Sequence, residues 1–163
     1  MSLHTMSLGK WMPATFLLSS TLWAAVLISV PYVVRRDDSS PQLLRGASVV
    51  YLLGSLICHQ RAERSFHPWG VPVPVCARCE GIYLAAPFSI AIVFARRRRD
   101  DALASRTRCR RLIVFASVPT MMTLAWEWSG GGMTPGIVRA LAGAALGAAI
   151  AGAIAAVAIG ELR

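Results

Sequence analysis

Three of the four cysteines and two of the three histidines fall in the stretch ICHQRAERSFHPWGVPVPVCARCEGIY, from Ile57 to Tyr83. Cys76 and Cys79 form C-A-R-C, a spacing that lets two sulfurs converge on one metal ion or close a reactive disulfide. Cys58 and His59 add further donors, and Zn²⁺ takes four N or S ligands in a tetrahedron. Cys58, Cys76 and Cys79 with one histidine would fill that shell. Neighbouring Cys58 and His59 reach one ion awkwardly, so His67, or Glu127, is the alternative fourth ligand. Four protein ligands would make the site structural; three plus water would be compatible with catalysis. Iron and copper also accept soft ligands, so the donor set alone does not single out zinc. Other chemistries compete. A plain disulfide could close the loop, which an extracytoplasmic location permits. Cys76 and Cys79 could be a redox pair with Cys58 as resolving thiol, Arg78 between them lowering a thiol pKa. The thiols could also be inert on a partner-binding loop. A c-type haem is disfavoured, because Glu80 stands where C-x-x-C-H requires histidine. Cys109 lies apart and reads as an ordinary free thiol.

The elements that must position these residues are apolar. Of 163 residues, 55% are hydrophobic and only 15% charged, and the mean hydropathy is +0.54. That composition points to one integral membrane domain, residues 1–163, in a lipid bilayer. The net charge of +9 is carried by arginines at the ends of apolar runs. It is therefore read as topology and anionic-lipid contact rather than nucleic-acid binding, for which no motif is present. Five runs are predicted as helices: Phe16 to Val34, Leu43 to Cys58, Gly81 to Ala95, Leu112 to Trp128 and Ile137 to Ile159. The first lacks a strongly basic start and a clear cleavage site, so it is read as a retained helix and not a signal peptide. The second is short and interrupted by Arg45, so it spans only if Arg45 snorkels, and could be re-entrant. Pro119 is a predicted kink. Gly143 and Gly147 form a GxxxG pair that would let the Ala/Gly-rich last helix approach another helix, in a partner protein or a second copy.

Arg96 to Arg99, Arg106, Arg108, Arg110 and Arg111 make 96–111 a basic cytoplasmic connector. Five alternating crossings then place the N-terminus outside and the C-terminus inside, with twelve of seventeen basic residues in the cytoplasm. The expected fold is an all-α polytopic transmembrane bundle with an extracytoplasmic loop over 59–75. Four helix ends would bring Cys58, His59, Cys76, Cys79, Glu127 and Arg139 to one depth. Glu127 is the lone acid of its helix, between Trp126 and Trp128, and Arg139 could pair with it. Glu63 with Arg61 or Arg64 is either a solvated pair or an outer support for the cysteine site.

The order CHQ, ERSF, Gly70, CARC and GIY resembles a bacterial and archaeal family of small membrane proteins, domain-of-unknown-function family 2085. The resemblance falls on Cys58, His59, Gln60, Glu63, Arg64, Ser65, Phe66, Gly70, Cys76, Ala77, Arg78, Cys79, Gly81, Ile82 and Tyr83. A looser second block resembles the family at Pro119, Arg139, Gly143 and Gly147. Glu80 replaces the family's usual threonine, Ala85 a common glycine, and EWSGGG an aspartate-glycine segment, with Glu127 the nearest acid. The resemblance implies a prokaryotic cell membrane and supplies no reaction. The leading expectation is a metal-binding membrane protein. A membrane thiol-disulfide oxidoreductase using Cys76 and Cys79, or an accessory subunit of a larger membrane complex, are the alternatives.

Overall fold

The computed structural model describes residues 5–97 and 106–158. Helix α1 runs Thr5–Arg35, α2 Pro41–Ile57, α3 Ala77–Arg97, α4 Arg106–Trp128 and α5 Gly136–Ala158. Two short 3-10 turns, Ala62–Arg64 and Pro68–Gly70, lie between α2 and α3. No strand occurs among the described residues. The all-α expectation holds. Three segments are long and apolar enough to cross a membrane: Ala14–Arg35, Ala77–Arg96 and Gly136–Ala158. Each helix matches an apolar run, with shifted ends. α3 starts before its run, so Cys79 lies in the first turn, and α4 starts inside the basic connector at Arg106. The rest of that connector, 98–105, lies outside the described residues. α4 continues through Pro119 and α3 through Pro87. At the start of α2, Ser40 accepts from the Leu43 N–H at 3.4 Å and Pro41 occupies the first turn, where a missing N–H costs nothing.

α5 lies between α3 and α4, and α1 packs on both α3 and α2. α3 and α5 run parallel at backbone-to-backbone distance. A Cβ at Gly143 would strike the Arg78 carbonyl oxygen, one at Gly147 the Ile82 carbonyl oxygen, and one at Gly81 the Ala140 carbonyl oxygen. Small-residue contacts of this kind let membrane helices gain dispersion energy where lipid supplies no hydrophobic drive. Interhelical hydroxyls add to it: Ser89 Oγ donates to the Ala148 carbonyl at 2.6 Å and Thr120 Oγ1 to the Ala142 carbonyl at 3.0 Å. The face carrying Gly143 and Gly147 is thus occupied by α3 within the chain. Gly143→Ala is expected to lower stability by roughly 1–3 kcal/mol through overpacking. Gly46→Ala, with nothing within 4 Å of the new methyl, is expected to be neutral or mildly stabilising. Unfolding midpoints of the two variants in detergent would check this.

The direction of α1 differs from the expectation. Phe16 and Leu17 pack against the cluster of Ile90, Ala151 and Ala155. Trp23 stands edge-on to Tyr83 with centroids 6.1 Å apart. Leu27 is buried with Val73 and Val75, against which Cys58 and Cys79 also pack. Tyr32 meets Trp69 at 5.6 Å. α1 is therefore antiparallel to α3, and its C-terminal end lies at the cysteine end of the bundle. α2 starts beside Val33 and ends at Cys58, again at the cysteine end. Five alternating crossings with the N-terminus on the cysteine side do not follow from this packing. The N-terminal part of α1 and the C-terminal part of α5 share the end opposite the cysteines. The physical cause is the loop return: Cys58 leads into a segment that climbs to Trp69 beside α1 and descends along α2 to Cys76.

Candidate metal centre

Cys58 is fixed by the end of α2, where its backbone turns extended and its N–H still donates to the Gly54 carbonyl at 2.9 Å. Cys76 directly precedes α3, and Cys79, three residues on, faces the same way one turn later. The Cys76 N–H donates to Cys58 Sγ at 3.2 Å. The three sulfurs lie within 4.8 Å of one another, and the four cysteines of the chain are free thiols. Three thiolates on a tetrahedral ion with Zn–S near 2.3 Å would stand about 3.8 Å apart, so small side-chain rotations bring this triad into ligand geometry. Three close cysteines that could hold a metal ion are what the fold assembles. Outside the spanning helices, Cys76 is held far below its ordinary value of 9.0, at about 5. The S–H of Cys79 is the largest cause, helped by the Cys79 N–H, the Cys58 thiol and the Arg78 N–H, against the opposing effect of burial.

The segment that carries Cys76 is better anchored than the sequence suggested. Val73 and Val75 are buried on Leu27. Tyr51 Oη donates to the Pro72 carbonyl at 2.5 Å, and Gln60 Nε2 donates to the carbonyls of Tyr51 (2.6 Å) and Pro74 (2.5 Å). Gln60 does so from a positive φ of 45°, a conformation that non-glycine residues adopt at a cost. Gly54 has no Cβ to collide with the Pro74 carbonyl and the Gln60 amide. The loop therefore has a small core of its own. Tyr51 was missed; its signal was a lone phenol in an otherwise apolar helix.

Neither histidine is among the donor atoms that converge. His59 is exposed and lines a cavity of about 520 Å³ shared with all three cysteines. His67 is exposed and lines a different cavity with Glu63 and Phe66. Glu127 is occupied elsewhere. It accepts from the Thr134 hydroxyl, and Arg139 Nε stands 3.1 Å and Arg78 Nη2 3.7 Å from its Oε1. Arg139 and Glu127 side chains are 2% and 5% exposed, which makes this an enclosed charge node joining α3, α4 and α5. Arg78 also donates to Thr123 Oγ1 at 3.0 Å, so its guanidinium turns toward α4 as well as lining the cysteine cavity. Thr123 and Thr134 were not singled out in the sequence, since a threonine in an apolar helix or turn carries no signature. Glu63 makes no ion pair among the described residues, and Arg64 borders both cavities. Glu80, noted only for its place after the second cysteine, is buried with one carboxylate oxygen unpartnered.

The uncharacterized protein MJ1492 of Methanocaldococcus jannaschii is 32% identical over 85 residues, 52% of this chain and 54% of that protein. The chain thus spans about half the length of this curated relative. No solved structure matches. The model of the family described as "Predicted membrane protein (DUF2085)" matches residues 58–153, from the first cysteine of the triad through most of α5. With its apolar spanning helices and a match over more than half of its length, the chain is an integral membrane protein and belongs to that family, DUF2085.

Proposed function

We propose that this protein binds one metal ion, Zn²⁺ in preference to iron or copper, through Cys58, Cys76 and Cys79 at the extracytoplasmic membrane border. The observation that carries the reading is the approach of three sulfurs within 4.8 Å, delivered by two helix ends that the loop ties together. The fourth position opens on the shared cavity, where His59 is the histidine at hand. In this reading α1, α3, α4 and α5 cross the bilayer and α2 lies within the outer half with its apolar face in lipid. The N-terminus is then cytoplasmic together with the basic connector 96–111, in keeping with the inward bias of arginine. The loop over 59–75 is extracytoplasmic, Gln60 and Tyr51 support the cysteines from outside the donor set, and the Glu127 node fixes α3.

Elemental analysis of detergent-purified protein, with thiols counted before and after chelation, tests the site. About one zinc per chain, with three thiols unmasked by chelator, is expected. No metal, and two thiols recovered only after reduction, would replace the reading with a thiol-disulfide oxidoreductase acting through Cys76 and Cys79. A reporter fused to the N-terminus tests the topology; an extracytoplasmic signal would overturn it.

The low Cys76 value gives a pH test on the metal-free protein. A depressed thiol keeps its thiolate above about 5 and loses it as pH falls through that value. Its alkylation by iodoacetamide should therefore change little between pH 8 and pH 6. An ordinary thiol would slow roughly fifty- to hundredfold over that range. Peptide mapping of the alkylated site reads the difference.

A further inference from the structure

The cavity beside the cysteines has a composition that metal binding does not require. Arg61, Arg64, Arg78 and Arg139 line it, and no carboxylate does so among its described lining residues. The acids nearest to these groups lie elsewhere: Glu63, exposed on the Ala62–Arg64 turn, lines the other cavity and makes no ion pair among the described residues. Glu127, on α4, is shared between Arg78 and Arg139 behind the cavity wall. Glu80, on α3, is buried near Cys76 and does not line the cavity. Two enclosed guanidiniums share one carboxylate, and the Arg78 Nε is buried without a partner. Arg61 and Arg64 add two charges with no ion pair among the described residues. Guanidinium groups converging on an open cavity are the donor set for phosphate oxygens.

The mouth of the same cavity is apolar. Ile57 at the end of α2 and Trp128 at the end of α4 border it at 55% and 79% exposure, and Leu124 lines it as well. A free inorganic anion gains nothing from such an edge, whereas an amphiphile lays its apolar part there while its phosphate reaches the arginines. We propose that this cavity binds the phosphate headgroup of an anionic phospholipid from the surrounding bilayer. Arg61 and Arg64 hold the phosphate next to the open side of the cysteine triad, while Arg78 and Arg139 add positive charge from the cavity wall. The proposal does not depend on a metal being bound, since the arginines and the apolar mouth are independent of it.

The full chain in detergent can be titrated calorimetrically with dihexanoyl phosphatidic acid below its micelle concentration. Dihexanoyl phosphatidylcholine and inorganic phosphate serve as separate arms. Phosphatidic acid is expected to bind at least about tenfold tighter than either, and Arg61→Gln/Arg64→Gln to weaken it by at least about tenfold. Arg108→Gln/Arg110→Gln, with the same net charge removed at the opposite end, should leave binding unchanged. Metal content should be the same in both variants, which separates this test from that of the cysteine site. Inorganic phosphate binding as tightly as the lipid would overturn the lipid as ligand. Equal affinity for the choline ester, or an Arg61/Arg64 variant that binds as well as the parent, would overturn the site.

Discussion

Cys76→Ser or Cys79→Ser is expected to lower metal affinity by at least about a hundredfold and to open the segment 59–70 to protease. Cys109→Ser is expected to do neither. The three cysteines of the site lie within 4.8 Å of one another. Cys109 lies near the start of α4, at the other end of that helix from Glu127. Removing one of three thiolates leaves a two-sulfur site that small ligands must complete, and the free energy that metal binding lends to the fold is lost with it. The structure also limits how far the disorder spreads. Val73 and Val75 stay buried on Leu27, and Tyr51 and Gln60 still hold the Pro72 and Pro74 carbonyls. Cleavage should therefore appear between His59 and Gly70 and spare Val71–Val75. Limited proteolysis with the cut sites read by mass spectrometry tests this. Identical cleavage in all three cysteine variants would count against a metal as the loop's fastener.

Apolar runs bounded by arginine and proline showed where the helices lie, because length and hydropathy are local properties. The cysteine spacing likewise marked the site, since C-x-x-C brings two sulfurs together on any helix start. The path of α2 was hidden. It depends on Trp69 reaching Tyr32 and on Gln60 holding a positive φ, contacts set by tertiary packing that no period in the sequence encodes. A crossing count made by simple alternation consequently gave α1 the direction opposite to its packing on α3. Glu127 and Arg139 were placed at one depth from helix ends alone, and depth is what a helix end can tell. That Arg78 joins them, and that Thr134 and Thr123 complete the node, required the register of α3 on α5. That register is set by Gly81, Gly143 and Gly147 seating on carbonyl oxygens. His59 and His67 could not be ranked from the sequence. The structure puts them in different cavities because the Pro68–Gly70 turn lies between His67 and Cys76 and carries His67 away from the sulfurs.

Glu127→Ala is expected to cost about 3–5 kcal/mol, the range for an enclosed charge that loses its counterion. Arg139 is 2% exposed and Arg78 12%, so neither can turn to water without unpacking α3 from α5, the pair in closest contact. Glu127→Gln should cost less, because an amide oxygen still accepts from the Thr134 hydroxyl. Thr134→Val should cost about 1 kcal/mol, one hydrogen bond. The decisive comparison is Glu127→Met/Arg139→Met. Replacing both partners with apolar groups removes the stranded charge, so the double variant should be more stable than Glu127→Met alone, with a coupling energy of about 1–3 kcal/mol. Unfolding in mixed detergent micelles reads these variants, with Arg139→Met alone completing the cycle. Additive losses would mean that the node carries no coupling and that Glu127 acts only as a surface acid. The consequence reaches the cysteines, since Arg78 sits between Cys76 and Cys79 and is held from α4 by Thr123 and Glu127. Loosening that hold frees the first turn of α3 to shift, and a shift of a few tenths of an ångström is enough to misplace two of three sulfurs. Glu127→Ala should therefore weaken metal binding about 10- to 100-fold, the usual effect of losing an outer support, although Glu127 itself touches no ligand atom.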